Sequence, residues 1–517
     1  MPELDSDSDS SASSSDDHEK VARKTLTGPV LLGNGEGEDY YHTPGLEFRR
    51  GVLYEDARLD LCKQVVGPDH IGALMQSLRT NTFVRHFLLG NNIIGPVGAR
   101  AIGDFIHDFP NRMDTWYLAG NCIDGAGFKV LVDAMVKSTS VTNIWLKRNP
   151  LGAGSAKDLA RLITQCQNLR TLDLDQTELG DGGAAELFGL LAGYQPEEGE
   201  ALSLCNLYLN GIGISTRAAA ALGKFLASPA GALVESIYMS CNPLGDAGAV
   251  ALAEYLPRAK SLKRLVIQSI GLGADGAIAL CTALGRHQSL SVLDLGQAYA
   301  TADLGAGYNY ITDEAASAMV SLVRDCKSLQ YFNLGRCALS FNGLACVMQA
   351  AAGSESLLVW QGISLVKDAI SPIVSPALSY PLNTATIFGA DGMNQVSQAN
   401  MHVLESDIRL RLERNVRARF GEDKSYSSFW ENEKRWVLSD QLDVRKIDSV
   451  YRTRDVRKAR RGEMVLVKLW EDDDDTLDRV MGQVTSKPGL EGVKVSGPVC
   501  PLKKLRLEQQ KALMAHA

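Results

Sequence analysis

A short pattern of apolar and polar positions recurs along much of the chain. In VTNIWLKRNPLG, which begins at Val141, the apolar residues Ile144 and Leu146 alternate with other side chains before Asn149 and a Pro-Leu-Gly turn. The alternation predicts a short strand, because successive side chains of a strand point to opposite faces of a sheet. Similar stretches recur at a spacing of roughly 28 residues. They begin at Ala57, Val84, Met113, Leu169, Leu204, Val234, Leu262, Leu290 and Leu329.

Each predicted strand is followed by a segment with helical periodicity. In GDAGAVALAEYL (245 to 256), apolar residues recur at the spacing of one helix face, which predicts an amphipathic helix. Neither the strand nor the helix can bury its apolar side alone, so neighbouring copies must stack. The sequence therefore predicts a solenoid of about ten strand-helix repeats.

The repeat fits L-x-x-L-x-L-x-x-N-x-L followed by a full helix, and it resembles that of leucine-rich repeat proteins of the ribonuclease-inhibitor-like subfamily. The resemblance covers residues 52 to 366 and implies an α/β horseshoe, with parallel strands on the concave face and helices on the convex face. Together with outward-facing aromatic residues on the strands and the absence of catalytic motifs, it predicts a non-enzymatic interaction scaffold that binds a protein partner on the concave face. That partner is not identified by the sequence, because function depends on the site rather than the fold.

A regulator of GTP hydrolysis is an alternative, since the Ran GTPase activators are similar proteins with the same helix-bearing repeat. A small GTPase is therefore a candidate partner. The nearest matches to their LSDNAFG-like motif are YLAGNCIDG (117 to 125) and YMSCNPLG (238 to 245), and both lack its SDN core. No catalytic residue is carried over from that family.

A column of Asn residues follows the predicted strands. Its members, Asn92, Asn121, Asn149 and Asn242, are expected to satisfy buried backbone groups in the turn after each strand. Other residues replace Asn in the remaining copies, so any ladder of Asn side chains is interrupted. These replacements are Thr177, Ile212, Ile270, Ala298 and Cys337.

The residues between the core positions of each strand should face the concave side. Four of them are aromatic: Tyr117, Trp145, Tyr208 and Tyr238. Exposed aromatic residues with polar neighbours often anchor a protein partner, but aromatic pairs also pack across strands and simply cover a sheet. Both interpretations stay open. The other candidate contact residues on this face are Lys147, Asp173, Asp175, Arg264 and Tyr331, and the inserted Gly/Tyr-rich loop at 299 to 310 is a second candidate.

The chain divides into five segments. A disordered, Ser-rich acidic tail (1–27) and a lead-in (28–51) precede the repeats (52–366), and a Pro-containing cap or linker (367–393) follows them. The last segment (394–517) is predicted to be an α+β extension. It opens with a helix over 394 to 420, whose apolar stripe is Val403, Leu404, Ile408, Leu412 and Val416. MVLVKLW (464 to 470) alternates like a strand, and EDDDD (471 to 475) resembles an exposed turn.

Overall charge gives little reason to expect nucleic acid or a membrane as partner. The 517 residues carry a net charge of −8, and no run of about 18 apolar residues predicts a membrane span. Basic residues are interleaved with Trp430, Trp436 and Tyr451 over 409 to 461, which makes nucleic acid binding a second alternative. Acidic residues dilute that charge, so nucleic acid is not the expected partner.

Motifs for catalysis, cofactors and metals are missing. The sequence has no phosphate-binding GxxxxGK[ST], no HExxH and no recognisable nucleophile motif. The ten Cys residues are dispersed without a CxxC pair, which favours reduced thiols in the cytoplasm or nucleus. We therefore expect no enzyme activity, no catalytic residue, no cofactor and no metal.

Overall fold

The computed structural model describes residues 45–48, 50–197, 201–298, 306–339, 341–364 and 395–429. Several predicted segments lie outside them. These are the acidic tail (1–27), the cap or linker (367–393), the strand and turn over 464 to 475, and residues 299–305 of the inserted loop.

A single sheet runs through the described part of the chain, with thirteen strands hydrogen-bonded in sequence order. The third to thirteenth strands pair in parallel, whereas the first three form antiparallel pairs. The strands are β1 (Gly45–Phe48), β2 (Gly51–Tyr54), β3 (Arg58–Asp60), β4 (His86–Leu88), β5 (Thr115–Tyr117), β6 (Asn143–Trp145), β7 (Thr171–Asp173), β8 (Asn206–Tyr208), β9 (Ser236–Tyr238), β10 (Arg264–Val266), β11 (Val292–Asp294), β12 (Tyr331–Cys337) and β13 (Val359–Ser364).

A helix follows each strand from β3 to β12 and returns the chain for the next parallel strand. These helices are α1 (Gly67–Leu78), α2 (Gly95–Asp108), α3 (Gly125–Met135), α4 (Ala156–Gln165), α5 (Gly180–Gly193), α6 (Thr216–Leu226), α7 (Gly245–Ala253), α8 (Ala274–Leu284), α9 (Ala316–Asp325) and α10 (Phe341–Gly353). Two further helices follow the repeats, α11 (Gln395–Phe420) and the single turn α12 (Tyr426–Ser428).

The core lies between the sheet and the helices. The middle residue of each short strand points into it, and Leu59, Phe87, Ile144 and Leu172 are all fully buried there. Helices are wider than strands, so a layer of helices on one side of a parallel sheet forces the sheet to curve. The predicted α/β solenoid, with a concave sheet and convex helices, is confirmed.

The Asn column forms the expected hydrogen bonds. The carboxamide of Asn149 accepts from the backbone N–H groups of Asn121 and Ile123, both at 3.0 Å. Its Nδ2 donates to the carbonyl oxygens of Leu118 and Leu146, at 2.9 and 2.8 Å. One buried side chain thus links two successive turns. The residue just before it, Arg148, has φ 59°, a left-handed conformation that lets the chain turn inward.

One member of this column was assigned wrongly from the sequence. Asn309, not Ala298, holds the position after β11: its Oδ1 accepts from the N–H groups of Ile270 and Leu272, and its Nδ2 donates to the Leu295 carbonyl. Most of the inserted loop precedes this Asn, so the insertion hid the repeat spacing. The segment NYITDEA after the insertion resembles the turn-to-helix sequence of other repeats and could have revealed it.

Additional elements cover both ends of the solenoid. At the N-terminal end, the β1–β2 hairpin pairs antiparallel with β3, which sequence reasoning did not predict. At the C-terminal end, the predicted helix is present as α11 and packs on α10. Ile408, Leu412 and Val416 are buried as expected, but Val403 is 59% exposed and does not belong to the apolar stripe. The next residue, Leu404, packs against the core, so Val403 lies in a turn of α11 that contacts the solenoid end but on the exposed side of that turn.

Candidate functional site

Aromatic side chains form a continuous row on the concave face. Ring centroids are 6.4 Å apart between Tyr117 and Trp145, 5.0 Å between Trp145 and Tyr208, and 4.5 Å between Tyr208 and Tyr238. The last pair is stacked with only 5° between the ring planes. The pleat does turn Trp145 away from the helix-side core, into a separate cluster with Cys62 and neighbouring side chains. The row therefore spans strands β5 to β9.

The four rings differ in how much of them a partner could reach. Trp145 is only 3% exposed and Tyr117 only 9%, whereas Tyr208 and Tyr238 are half-buried. The expectation that all four are exposed is therefore wrong for Trp145 and Tyr117. The burial of Tyr117 depends on Gly90. A Cβ added at Gly90 would lie 2.4 Å from the Tyr117 ring, so only glycine at this position allows the ring to pack on the sheet. These two residues cover the sheet.

The acidic residue between the rings is also buried. Asp173 lies on β7, in register with Trp145 on β6 and Tyr208 on β8, and it is 3% exposed. The two rings approach each other over it, and its Oδ1 accepts from the backbone N–H of Asp175. The carboxylate of Asp173 is therefore not presented to a basic partner in this conformation.

A hydrogen-bond network runs beside the aromatic row. Lys147 Nζ lies 2.8 Å from Asp175 Oδ2, and Asn210 donates to the same carboxylate at 2.9 Å. Asn210 Oδ1 then accepts from the N–H of Ser240, whose hydroxyl oxygen accepts from the N–H of Gln268 at 3.0 Å. Because Asp175 is buried and already paired, its negative charge is neutralised by Lys147 within the chain.

The network ends at a buried carboxylate on β11. Asp294 accepts hydrogen bonds from Gln268 Nε2 at 2.7 Å, Asn333 Nδ2 at 2.9 Å and the Tyr331 hydroxyl at 3.4 Å. Burial raises the pKa of Asp294 above its ordinary value, although these hydrogen bonds oppose the shift. Tyr331 is itself buried, against Val416 and Phe429 of the C-terminal segment, so its ring is covered by this chain.

One accessible part of the concave face lies over β8 to β10. It consists of Tyr208, Tyr238, Arg264 and Val266, which we call the central patch, and all four are half-buried. The Arg264 guanidinium donates to Ser236 Oγ at 3.3 Å. Lys147 lies at one margin of this patch. Within the described residues, no group of three His, Cys, Asp or Glu side chains could hold a metal ion, and no helix has the length and apolarity to cross a membrane.

The amino-acid sequence of this chain is also similar to the sequences of known repeat proteins. The family described as Leucine Rich repeat matches residues 165–188 and 233–253, which include strands β7 and β9, the first part of α5 and the whole of α7. The ribonuclease inhibitor of Sus scrofa is 27% identical over 50% of this chain and 54% of its own length. That of Mus musculus is 24% identical over 54% of this chain and 57% of its own.

The chain is a leucine-rich repeat protein of the ribonuclease-inhibitor-like kind. It spans about half the length of those inhibitors. It is also similar to the NACHT, LRR and PYD domains-containing protein 12 of Homo sapiens, with 32% identity over 34% of this chain and 16% of the relative. The similarity therefore covers only part of each relative.

The leucine-rich repeats bring together most of the residues predicted for the site. Strands β5 to β10 place Tyr117, Trp145, Asp173, Tyr208, Tyr238, Arg264, Lys147 and Asp175 on one continuous surface. Tyr331 lies on the same face but under the C-terminal segment. Sequence reasoning missed the contribution of Asn210, Ser240 and Gln268 as a connected network. Their equivalent spacing after each strand was the available signal.

Proposed function

We propose that this chain is a non-enzymatic scaffold that binds a protein partner through the central patch on its concave face. The stacked pair Tyr208–Tyr238 carries the proposal, because its rings are half-buried, 4.5 Å apart and fixed on a rigid sheet. Rigid aromatic side chains contribute strongly to protein interfaces, since little conformational entropy is lost when they are covered.

The surroundings of the pair suit a protein partner. Val266 adds apolar surface and Arg264 adds positive charge, whereas the charge of Lys147 at the margin is paired with Asp175. The buried carboxylates of Asp173, Asp175 and Asp294 are engaged inside the chain and contribute no exposed negative surface. A partner with an apolar or aromatic anchor flanked by carboxylates would complement this patch.

Affinity capture with the full-length chain tests the proposal. Wild type is compared with the double substitution Tyr208→Ala/Tyr238→Ala, and Leu190→Ala on α5 is the control, because Leu190 is an exposed apolar residue on the convex side. Loss of the pair should weaken partner binding by about 2 kcal/mol or more, roughly a 30-fold increase in Kd. Equal recovery by all three folded proteins would refute the central patch as the binding site.

Two defined probes narrow the partner class. The inhibitors similar to this chain are named for ribonucleases, so we infer that a ribonuclease is the first protein to test, by titrating the chain into an assay of RNA cleavage. The similarity to Ran GTPase activators is tested by single-turnover GTP hydrolysis on Ran. Clear acceleration would contradict a purely non-enzymatic scaffold.

A further inference from the structure

The C-terminal segment crosses from the convex side of the solenoid to its concave side. Ile408 and Leu412 of α11 join the main core, and Arg411 Nε donates to the Ala352 carbonyl at the end of α10. One turn later, Asn415 Nδ2 donates to the carbonyl of Leu357 at 2.7 Å. Val416 is then fully buried in a separate cluster on the concave-face side of the last strands.

The chain then turns back onto the concave face. Gly421, with φ 118°, ends α11, and the Ser425 hydroxyl caps the single turn α12. Phe429 is fully buried against Val292, Tyr331 and Val359, which open strands β11, β12 and β13. The described chain therefore ends on the concave face rather than at the tip of the solenoid.

This end point lies next to the central patch. Val266, a member of the patch on β10, packs against the cluster that contains Phe429. Neighbouring strands are about 4.8 Å apart, so β8 lies only about 14 Å from β11. Seven residues after Phe429 can extend for about 23 Å, which brings Trp436 within reach of the Tyr208–Tyr238 pair.

The residues that follow Phe429 match the chemistry of the patch. Residues 430–438 read WENEKRWVL, with two Trp residues and the carboxylates of Glu431 and Glu433. Trp rings can pack on the half-buried Tyr rings and on Val266. The two Glu residues complement the positive charge of Arg264, which lies on the strand next to the Phe429 cluster.

We propose that residues 430–438 dock on the central patch and regulate access to it. A tethered segment faces its site at an effective concentration in the millimolar range, so even weak docking occupies the patch appreciably. The partner must then displace the segment. The apparent affinity of the partner is therefore reduced in proportion to the fraction of chains whose patch is open. This regulatory consequence rests on the proposed function of the patch, whereas the docking itself does not.

Photo-cross-linking in the full-length chain tests the docking. Asn432→p-benzoylphenylalanine keeps both Trp residues and both Glu residues, and it is irradiated in a mixture of isotopically light and heavy chains. The expected products join residue 432 to residues 236–238 or 264–266 of the same chain. Cross-links to other regions, cross-links between light and heavy chains, or no cross-links would overturn the proposal. Val403→p-benzoylphenylalanine, on an exposed part of α11, is the control and should not reach those strands.

A binding measurement separates this inference from the proposed function. Trp436→Ala should raise the amount of partner captured by roughly twofold or more, because a larger fraction of chains has an open patch. Combining it with Tyr208→Ala/Tyr238→Ala should abolish the gain. If the tyrosine substitutions leave capture unchanged while residue 432 still cross-links to the patch, the proposed function fails and the docking stands. If Trp436→Ala leaves tyrosine-dependent capture unchanged, the regulation fails and the proposed function stands.

Discussion

The rings of Trp145 and Tyr208 meet across an entire intervening strand. Their centroids are 5.0 Å apart although the two residues lie on β6 and β8, with Asp173 of β7 between them. Neighbouring strands are about 4.8 Å apart, so both side chains must lean over Asp173 to make this contact. The contact buries Trp145 and Asp173, and leaves Tyr208 to stack with Tyr238 on the accessible side.

Replacing Trp145 should therefore affect stability more than replacing Tyr238. Trp145→Ala removes a buried ring and exposes Asp173, and it is expected to lower the free energy of unfolding by about 3 kcal/mol or more. Tyr238→Ala removes one partner of a half-buried stacked pair and should cost about 1 kcal/mol. Urea unfolding of both variants measures the difference. Similar losses in the two variants would show that Trp145 is less tightly packed than its burial indicates.

The Asn column should be essential to the turns. Asn149→Ala leaves two backbone N–H groups and two carbonyl groups without their carboxamide partner, which should cost on the order of 3 kcal/mol. Thr177→Ala is the matched control, since Thr177 holds the same position in the next repeat and donates only to the Leu174 carbonyl. Its expected cost is about 1 kcal/mol. Equal costs in urea unfolding would contradict the ladder interpretation.

The buried carboxylate of Asp294 should make stability depend on pH. Burial raises its pKa in the folded chain, so folding favours the protonated form. That contribution is full below the unfolded pKa, near 4, and is lost as pH rises through the folded pKa. The stability of wild type relative to Asp294→Asn should therefore fall as pH increases from about 3 to 7. Urea unfolding across this range checks the sign, and a relative gain by wild type would contradict it.

Cysteine alkylation should distinguish the exposed from the core thiols. Burial raises the pKa of Cys166 and of Cys281 to about 12, so neither presents a thiolate near neutral pH. Cys122 and Cys346 are exposed and should react with iodoacetamide in the native chain. Mass spectrometry of native and urea-unfolded samples measures each site. Rapid native labelling of Cys281 would indicate that α8 opens locally.

The periodic sequence was sufficient to predict the architecture. Every repeat has the same packing requirement, because the apolar positions of its strand and helix can be buried only against the neighbouring repeat. The fold class, the strand positions and the role of Asn149 were therefore readable from local spacing. The C-terminal helix was predictable from its own periodicity, within one residue of its start.

The tertiary structure decided which concave residues are accessible. Alternation placed Trp145 and Tyr238 on the same face, but only the neighbouring rings of Tyr117 and Tyr208 determine that Trp145 is covered while Tyr238 is half-buried. The burial of Tyr331 depends on Val416 and Phe429, which are distant in sequence. Spacing along a strand specifies the direction of a side chain, whereas its exposure depends on contacts between residues that no local pattern relates.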